Sequence, residues 1–331
     1  MQPQHWLDQV AEDIIDPDRP VCDPHHHLWD HPGSRYLLDE LLHDLRSGHN
    51  VVATVFVECG SMYRAEGPEA LAPVGETEFV NGVAAMSASG AYGDVRACAG
   101  IVGFADLTLG AGVGEVLDVH LARSDRFRGI RHAAGWDADE RVRNSHTAPP
   151  PELLREPRFR EGLRELGRRD LSFDAWLYHP QIPELTELAQ ACPEVTIVLD
   201  HFGGPLGIGP YAGRREEIFE RWRVDIAELA RCPNVYAKLG GLVMPINGFG
   251  FHRRERPPAS DEIVAATGPY HRHTLDCFGA DRCMFESNFP VDRQSCAYPV
   301  LWNAFKKLVA DGSEHEKQRL FHDTARHVYR I

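Results

Sequence analysis

Short runs of apolar, mostly β-branched residues recur along this chain at intervals of about 30 to 50 positions. Each is followed by a stretch in which apolar residues return every three or four places. The runs predict strands over residues 21–23, 51–57, 98–104, 127–131, 172–177, 196–199, 235–239 and 283–285. The stretches between them predict helices over 38–45, 76–88, 113–123, 161–169, 183–191, 216–230 and 263–277, with two more over 298–310 and 313–329. Eight such alternations fit a closed (β/α)8 barrel, the TIM barrel of the α/β class, better than an open doubly wound sheet. One domain is therefore expected over residues 21–331, after an N-terminal extension over 1–20. Four connections, 60–75, 133–151, 203–214 and 244–260, exceed the usual loop length of about 4 to 6 residues and are expected to roof the carboxyl-end face of the barrel.

The predicted strands end in polar or glycine-rich residues, and in such a barrel the chemistry sits at those ends. In Val21-Cys22-Asp23-Pro24-His25-His26-His27 the two-residue period of a strand puts His25 and His27 on one face with Asp23, and turns His26 away. Two imidazoles so placed can chelate a divalent ion or grip a substrate oxygen. His201 follows an apolar strand and precedes Gly203-Gly204, which let a ligand or backbone approach closely, and His179 also ends a strand. Of Arg131 and His132 parity lets only one face inward, and Arg131 is the better candidate because its forked donors bind a carboxylate or polarise a carbonyl. Glu58 closes the second strand, either as a site acid or as the partner of an arginine. Tyr63 and Arg64, on the loop after it, are candidates to reach over the substrate. Near the other end stands Glu286-Ser287-Asn288-Phe289-Pro290, with an amide at 288 where a carboxylate would serve as a base.

Composition narrows the field. The formal charge of -14 opposes nucleic acid, no G-x-G-x-x-G or phosphate-loop pattern points to a nucleotide cofactor, and no apolar run is long enough to span a membrane. The start has no basic region followed by an apolar run, so a cytoplasmic location is expected. The eight cysteines contain no C-x-x-C pair and read as buried thiols. The expected partner is a small-molecule substrate, and the sequence leaves a homo-oligomer open.

Asp23-x-His25-x-His27, Arg128-Gly129-Ile130-Arg131, Asp200-His201-Phe202-Gly203 and Ser287-Asn288-Phe289-Pro290, in this order, resemble the amidohydrolase superfamily. Within it the chain is similar to the amidohydrolase-related branch that contains the 2-pyrone-4,6-dicarboxylate and fucono-lactone lactonases. The resemblance implies that His25 and His27 line the floor of the site, with His201 across from them and Arg131 on the substrate. It also implies His25, His27 and His201 as candidate ligands of a divalent metal such as zinc, although this branch includes metal-independent lactonases. Many relatives read Ser-Asp-Trp-Pro at the last motif, with the aspartate taking the proton of the attacking water. Asn288 departs from this, because an amide has no basic lone pair and can only orient a water or a carbonyl. The base then falls to Glu286, Asp292, Glu58 or a histidine, unless the reaction needs none. Losing an anionic ligand also weakens the case for a metal.

The expected function is hydrolysis of a small lactone or similarly activated cyclic ester or amide. His25, His27, Arg131, His201 and Asn288 are its catalytic candidates, and Glu58, Tyr63, Arg64, His179 and Glu286 contact the substrate. A metal-dependent decarboxylase of an aromatic or unsaturated acid is the second reading. A degenerate barrel that only binds a small molecule is the third.

Overall fold

The structure, a computed structural model, describes residues 4–331. Eight parallel strands form one sheet in sequential order: β1 Val21–His26, β2 Val51–Val57, β3 Arg96–Gly103, β4 Phe127–Arg131, β5 Ser172–Ala175, β6 Ile197–Leu199, β7 Val235–Leu239 and β8 Cys283–Phe285. A helix follows each strand, in order Leu38–Leu45, Val74–Ala88, Val113–Arg123, Pro157–Gly167, Ile182–Ala191, Arg215–Leu229, Ser260–Phe278 and Tyr298–Leu308. This is a (β/α)8 barrel. The strand boundaries at β2, β4, β7 and β8 coincide with those read from hydrophobicity. Outside that reading lie a hairpin, Trp29–His31 with Ser34–Tyr36, and a short helix, Gln4–Leu7.

The parallel ladder forms from runs such as Val51-Val52-Ala53-Thr54-Val55-Phe56-Val57, buried on both faces as a helix-covered sheet requires. The main core lies between strands and helices. A smaller one, with Val55, Val57, Val102, Val198 and Met284, fills the barrel, and the last helix, Thr324–Tyr329, packs Tyr329 against it. All eight cysteines are free thiols, six of them buried. Among the described residues no helix is long and apolar enough to cross a membrane. The segment before β1 straps the outside: Lys306 Nζ donates to the Ile15 and Asp16 carbonyls at 2.9 and 2.7 Å, and Trp6 Nε1 to the Arg254 carbonyl at 3.2 Å.

Because β8 is only three residues long, its seam with β1 is made largely beyond its end. The His27 amide donates to the Phe289 carbonyl at 2.8 Å, and the Asn288 amide to the His25 carbonyl at 2.9 Å. Asp23 locks the same seam, accepting from the Ser287 amide at 2.9 Å and the Tyr298 hydroxyl at 3.0 Å. It shares a strand with His25 yet belongs to the seam and does not line the cavity.

Asp23→Ala would leave these buried donors unpaired, so the free energy of unfolding should drop by roughly 2–4 kcal/mol in urea titrations. Burial also raises the Asp23 carboxyl from 3.8 to about 6. The fold therefore binds its proton more tightly than the unfolded chain does, and this group's contribution is full below 3.8 and declines as the pH rises to about 6. Asp23→Asn, neutral throughout, should flatten that part of the wild-type stability profile.

Candidate active site

A cavity of about 550 Å³ opens at the carboxyl ends of the strands, and His27, Arg131, His201 and Asn288 line it together. Three of the four long connections contribute to its wall: Arg143, Asn144, Ser145 and His146 from 133–151, Ile208 from 203–214, and Met244, Pro245, Ile246 and Arg253 from 244–260. Of the connection 60–75 nothing reaches the lining. The indoles of Trp29 and Trp176 add flat apolar surface.

Arg131, at the end of β4, faces inward while His132 faces the helices, its Nδ1 accepting from the Leu107 amide at 3.2 Å. The guanidinium is held on three sides. Nε donates to Glu58 Oε1 at 2.7 Å, NH2 to the Glu58 carbonyl, and NH1 lies 3.3 Å from His25 Nε2. Neither arginine nor an ammonium can accept, so both ring nitrogens of His25 face donors, Nε2 that of Arg131 and Nδ1 that of Lys238. Glu286 Oε2 lies 2.8 Å from Nδ1, as an electrostatic contact outside hydrogen-bonding geometry. Burial, and then the Lys238 ammonium 3.2 Å from Nδ1, keep His25 well below the usual imidazole range, so it is neutral. His25 thus lies behind Arg131, outside the cavity lining, and braces the guanidinium.

His27 turns Nδ1 to the Val57 carbonyl at 2.8 Å, which fixes the proton there and leaves Nε2 as a lone pair for the cavity. Burial and the Arg131 charge hold this ring neutral as well. His201 places Nδ1 2.5 Å from Glu286 Oε1 and stands edge-on to Trp176. Asn288 has φ 54°, so the strand period does not continue past Phe285, and its Nδ2 donates to Asp292 Oδ1 at 3.1 Å.

The carboxylates stand behind this wall. Burial raises Glu58, but the Arg131 guanidinium and His146, whose Nε2 is 3.0 Å from Oε2, outweigh it and bring the carboxyl down to about 2. Glu286 is likewise buried, and His201 and His25 bring it down to about 2. Deeper still, Lys238 from the middle of β7 lies 2.6 Å from Asp174 and 3.2 Å from Asp200, both fully buried, and Tyr329 donates to Asp174 at 2.6 Å. These carboxylates hold the ammonium above its ordinary range against its burial.

Three residues expected at the substrate lie elsewhere. Arg64 forms an ion pair with Glu78 at the surface, Tyr63 is partly exposed on its loop outside the lining, and His179 accepts the Leu206 amide at 3.2 Å and packs edge-on against Tyr211. Loop and rim residues have no strand neighbour to aim them, so sequence position alone does not locate them. Lys238, Asp200 and His146 escaped the sequence reading. A lone lysine inside the apolar run Val235-Tyr236-Ala237-Lys238-Leu239 was the available signal for the first, and adjacency to His201 for the second. His146 had none.

His25, Asp200 and His201 form a buried candidate site for a metal ion, with ligand atoms within 4.8 Å of one another. Asp200 stands where the sequence reading had His27, whose Nδ1 is bound to backbone. A catalytic zinc takes about three protein ligands with free lone pairs. Here both His25 nitrogens lie against donors, Nε2 against Arg131 and Nδ1 against Lys238, which leaves Asp200 and His201. The Lys238 ammonium is 3.2 Å and the Arg131 guanidinium 3.8 Å from the Asp200 carboxylate. So arranged, the cluster does not fit a resident divalent ion.

The family model for amidohydrolases matches residues 22–331. The Sinorhizobium fredii protein y4mH is 34% identical over 336 residues, covering 95% of this chain and 99% of its own. An L-fucono-1,5-lactonase of Burkholderia ambifaria is 30% identical over 237 residues, covering 70% of this chain and 71% of its own. A solved amidohydrolase from Burkholderia multivorans, with bound zinc, superposes with a TM-score of 0.71 at 23% identity over 94% of this chain and 99% of that one, a likeness of fold. By the extent of the family match and the relatives' identity, the chain belongs to the amidohydrolase family of (β/α)8-barrel hydrolases.

Proposed function

We propose that the protein hydrolyses a small lactone bearing a carboxylate, by attack of water on a carbonyl held over Arg131. The observation that carries this reading is the meeting of two complementary groups in one cavity. His201 offers a nitrogen to a water proton, and Arg131 offers donors to a carbonyl oxygen. Three of the five guanidinium N–H bonds are engaged by Glu58 and His25, and the remainder are available to an oxyanion, where each preorganised donor is worth about 3 to 4 kcal/mol.

In this mechanism His201 Nε2 takes a proton from water as the water oxygen bonds to the carbonyl carbon. The ring C–O bond then breaks, and the same proton passes to the departing ring oxygen, giving an alcohol and a carboxylic acid, which releases water's second proton to solvent and becomes a second carboxylate. Asn288, tied to Asp292, orients the water, and His27 Nε2 accepts from a substrate hydroxyl. His25 acts through Arg131. The mechanism uses no metal, because His25 has no free lone pair; decarboxylation, which relies on one to hold carbanionic charge, is less well supported. The relatives named L-fucono-1,5-lactonase support the lactone.

The arginines support the carboxylate. The lining contains Arg131, Arg143 and Arg253 and neither aspartate nor glutamate, in a chain of formal charge -14. Arg254 and Arg256 are both paired with Glu262, whereas Arg143 and Arg253, exposed in the roof, have no acidic partner among the described residues. An anionic group at the mouth would find two donors there, with the apolar body of the molecule against Trp29, Trp176 and Met244.

Three outcomes are expected. His201→Asn and Arg131→Lys, which keeps the charge but not the fork, should each lower kcat/KM for lactone hydrolysis by about a thousandfold, or about 4 kcal/mol, in a proton-release assay. Undiminished turnover in either variant would overturn the assignment. Dialysis against EDTA should leave kcat within about twofold, where a zinc mechanism would lose it. Between a carboxylated lactone and its methyl ester the enzyme should favour the acid by about tenfold or more. Arg143→Gln combined with Arg253→Gln should erase that preference.

A further inference from the structure

We propose that Glu286, which touches no substrate, is the positioning residue that holds His201 as proton acceptor and so supplies what an amide at position 288 cannot. This rests on the hydrolytic reading above and names how its base is made. Glu286 Oε1 lies 2.5 Å from His201 Nδ1 and both side chains are buried. A carboxylate only accepts, so Nδ1 carries the proton and Nε2 is left as a lone pair on the cavity side. The negative charge behind the ring favours the imidazolium that forms when Nε2 takes a proton from water, and the carboxylate itself remains unprotonated.

Glu286 cannot rotate away from this task. Its second oxygen is 2.8 Å from His25 Nδ1, and His25 is in turn fixed by Arg131 through its other nitrogen. The one carboxylate therefore sets the base and, through His25, braces the donor that receives the carbonyl oxygen. The backbone is shaped around the pair. Gly240 and Gly241 directly follow β7; a Cβ at Gly240 would collide with Cγ and the carbonyl oxygen of Glu286, and one at Gly241, where φ is 75°, with His201 Nδ1. His201 itself has φ 52° and Phe202 φ 58°. L-residues enter that region at a cost of about 1 kcal/mol or more, a strain that this site maintains in two successive residues.

The other acids are placed for different work. Glu58 is held by Arg131 and His146, and Asp292 is fully buried against Asn288, with burial pushing its carboxyl well above the usual range. Neither lines the cavity. Glu58 meets the lining imidazole of His146 at the rim, whereas Glu286 is the carboxylate in contact with His201.

The pairing is tested by imidazole N–H spectra of the full-length protein labelled with 15N-histidine, and by steady-state kinetics. The wild type should show a strongly downfield Nδ1–H resonance, assigned through its absence in His201→Asn, and Glu286→Gln should move it upfield. In lactone hydrolysis Glu286→Gln should lower kcat by about a thousandfold and leave KM within about threefold, since substrate contacts are untouched. A wild-type spectrum without that resonance overturns the pairing, even if the variant fails to fold. A Glu286→Gln enzyme within threefold of wild-type kcat, or one whose loss lies in KM alone, overturns the positioning role. If no lactone is hydrolysed, the function proposed above falls, and the resonance and its response to Glu286→Gln decide the pairing by themselves.

Discussion

Burying ionised groups at the mouth of a barrel is tolerable only when each finds a partner, and the site is organised by that constraint. The Glu286 carboxylate binds two imidazoles, one from β1 and one from the turn after β6. The first of these meets Arg131 from β4, which meets Glu58 from the end of β2, which reaches His146 in the roof. Five strand ends and a loop are thus joined by a single line of contacts. Each ring nitrogen with a proton assigned by its neighbour leaves the opposite nitrogen determined too. The cavity therefore receives a lone pair of His201 and the Arg131 guanidinium from this line, and a lone pair of His27 beside it.

Beneath this line Lys238 contributes a positive charge that the buried carboxylates around it favour. It draws Asp174 and Asp200 together and, with burial, keeps His25 neutral. A neutral His25 keeps a lone pair among these donors; a doubly protonated one would oppose the guanidinium. The lysine in the barrel interior and the arginine at its rim reach the same ring from opposite sides, at Nδ1 and at Nε2.

The barrel was legible because its signal is repeated eight times, and a boundary error of a few residues at β3 or at the helix Pro157–Gly167 changes nothing in the alternation. The inward set His27, Arg131 and His201 was legible for the same reason: polar residues closing apolar runs have few places to point. The hairpin Trp29–His31 with Ser34–Tyr36 was not, because three-residue strands carry no measurable period. Beyond Phe285 a continued strand would put Glu286 and Asn288 on one side, but the left-handed turn at Asn288 sends the amide to the cavity and leaves Glu286 behind it. Arg143, Arg253 and His146 reach the site only through the course of long connections, which local sequence does not encode.

The seam between the first and last strands is closed at residues 288 and 289 by an amide hydrogen and a carbonyl oxygen, atoms that every amino acid but proline provides in full. The side chain at 288, which meets Asp292, is therefore not needed to close that seam. A lineage built on this scaffold can exchange aspartate for asparagine there without opening the cylinder. Proton-transfer duty can then migrate to a neighbouring pair of residues, so that reaction chemistry diversifies while the barrel is inherited unchanged.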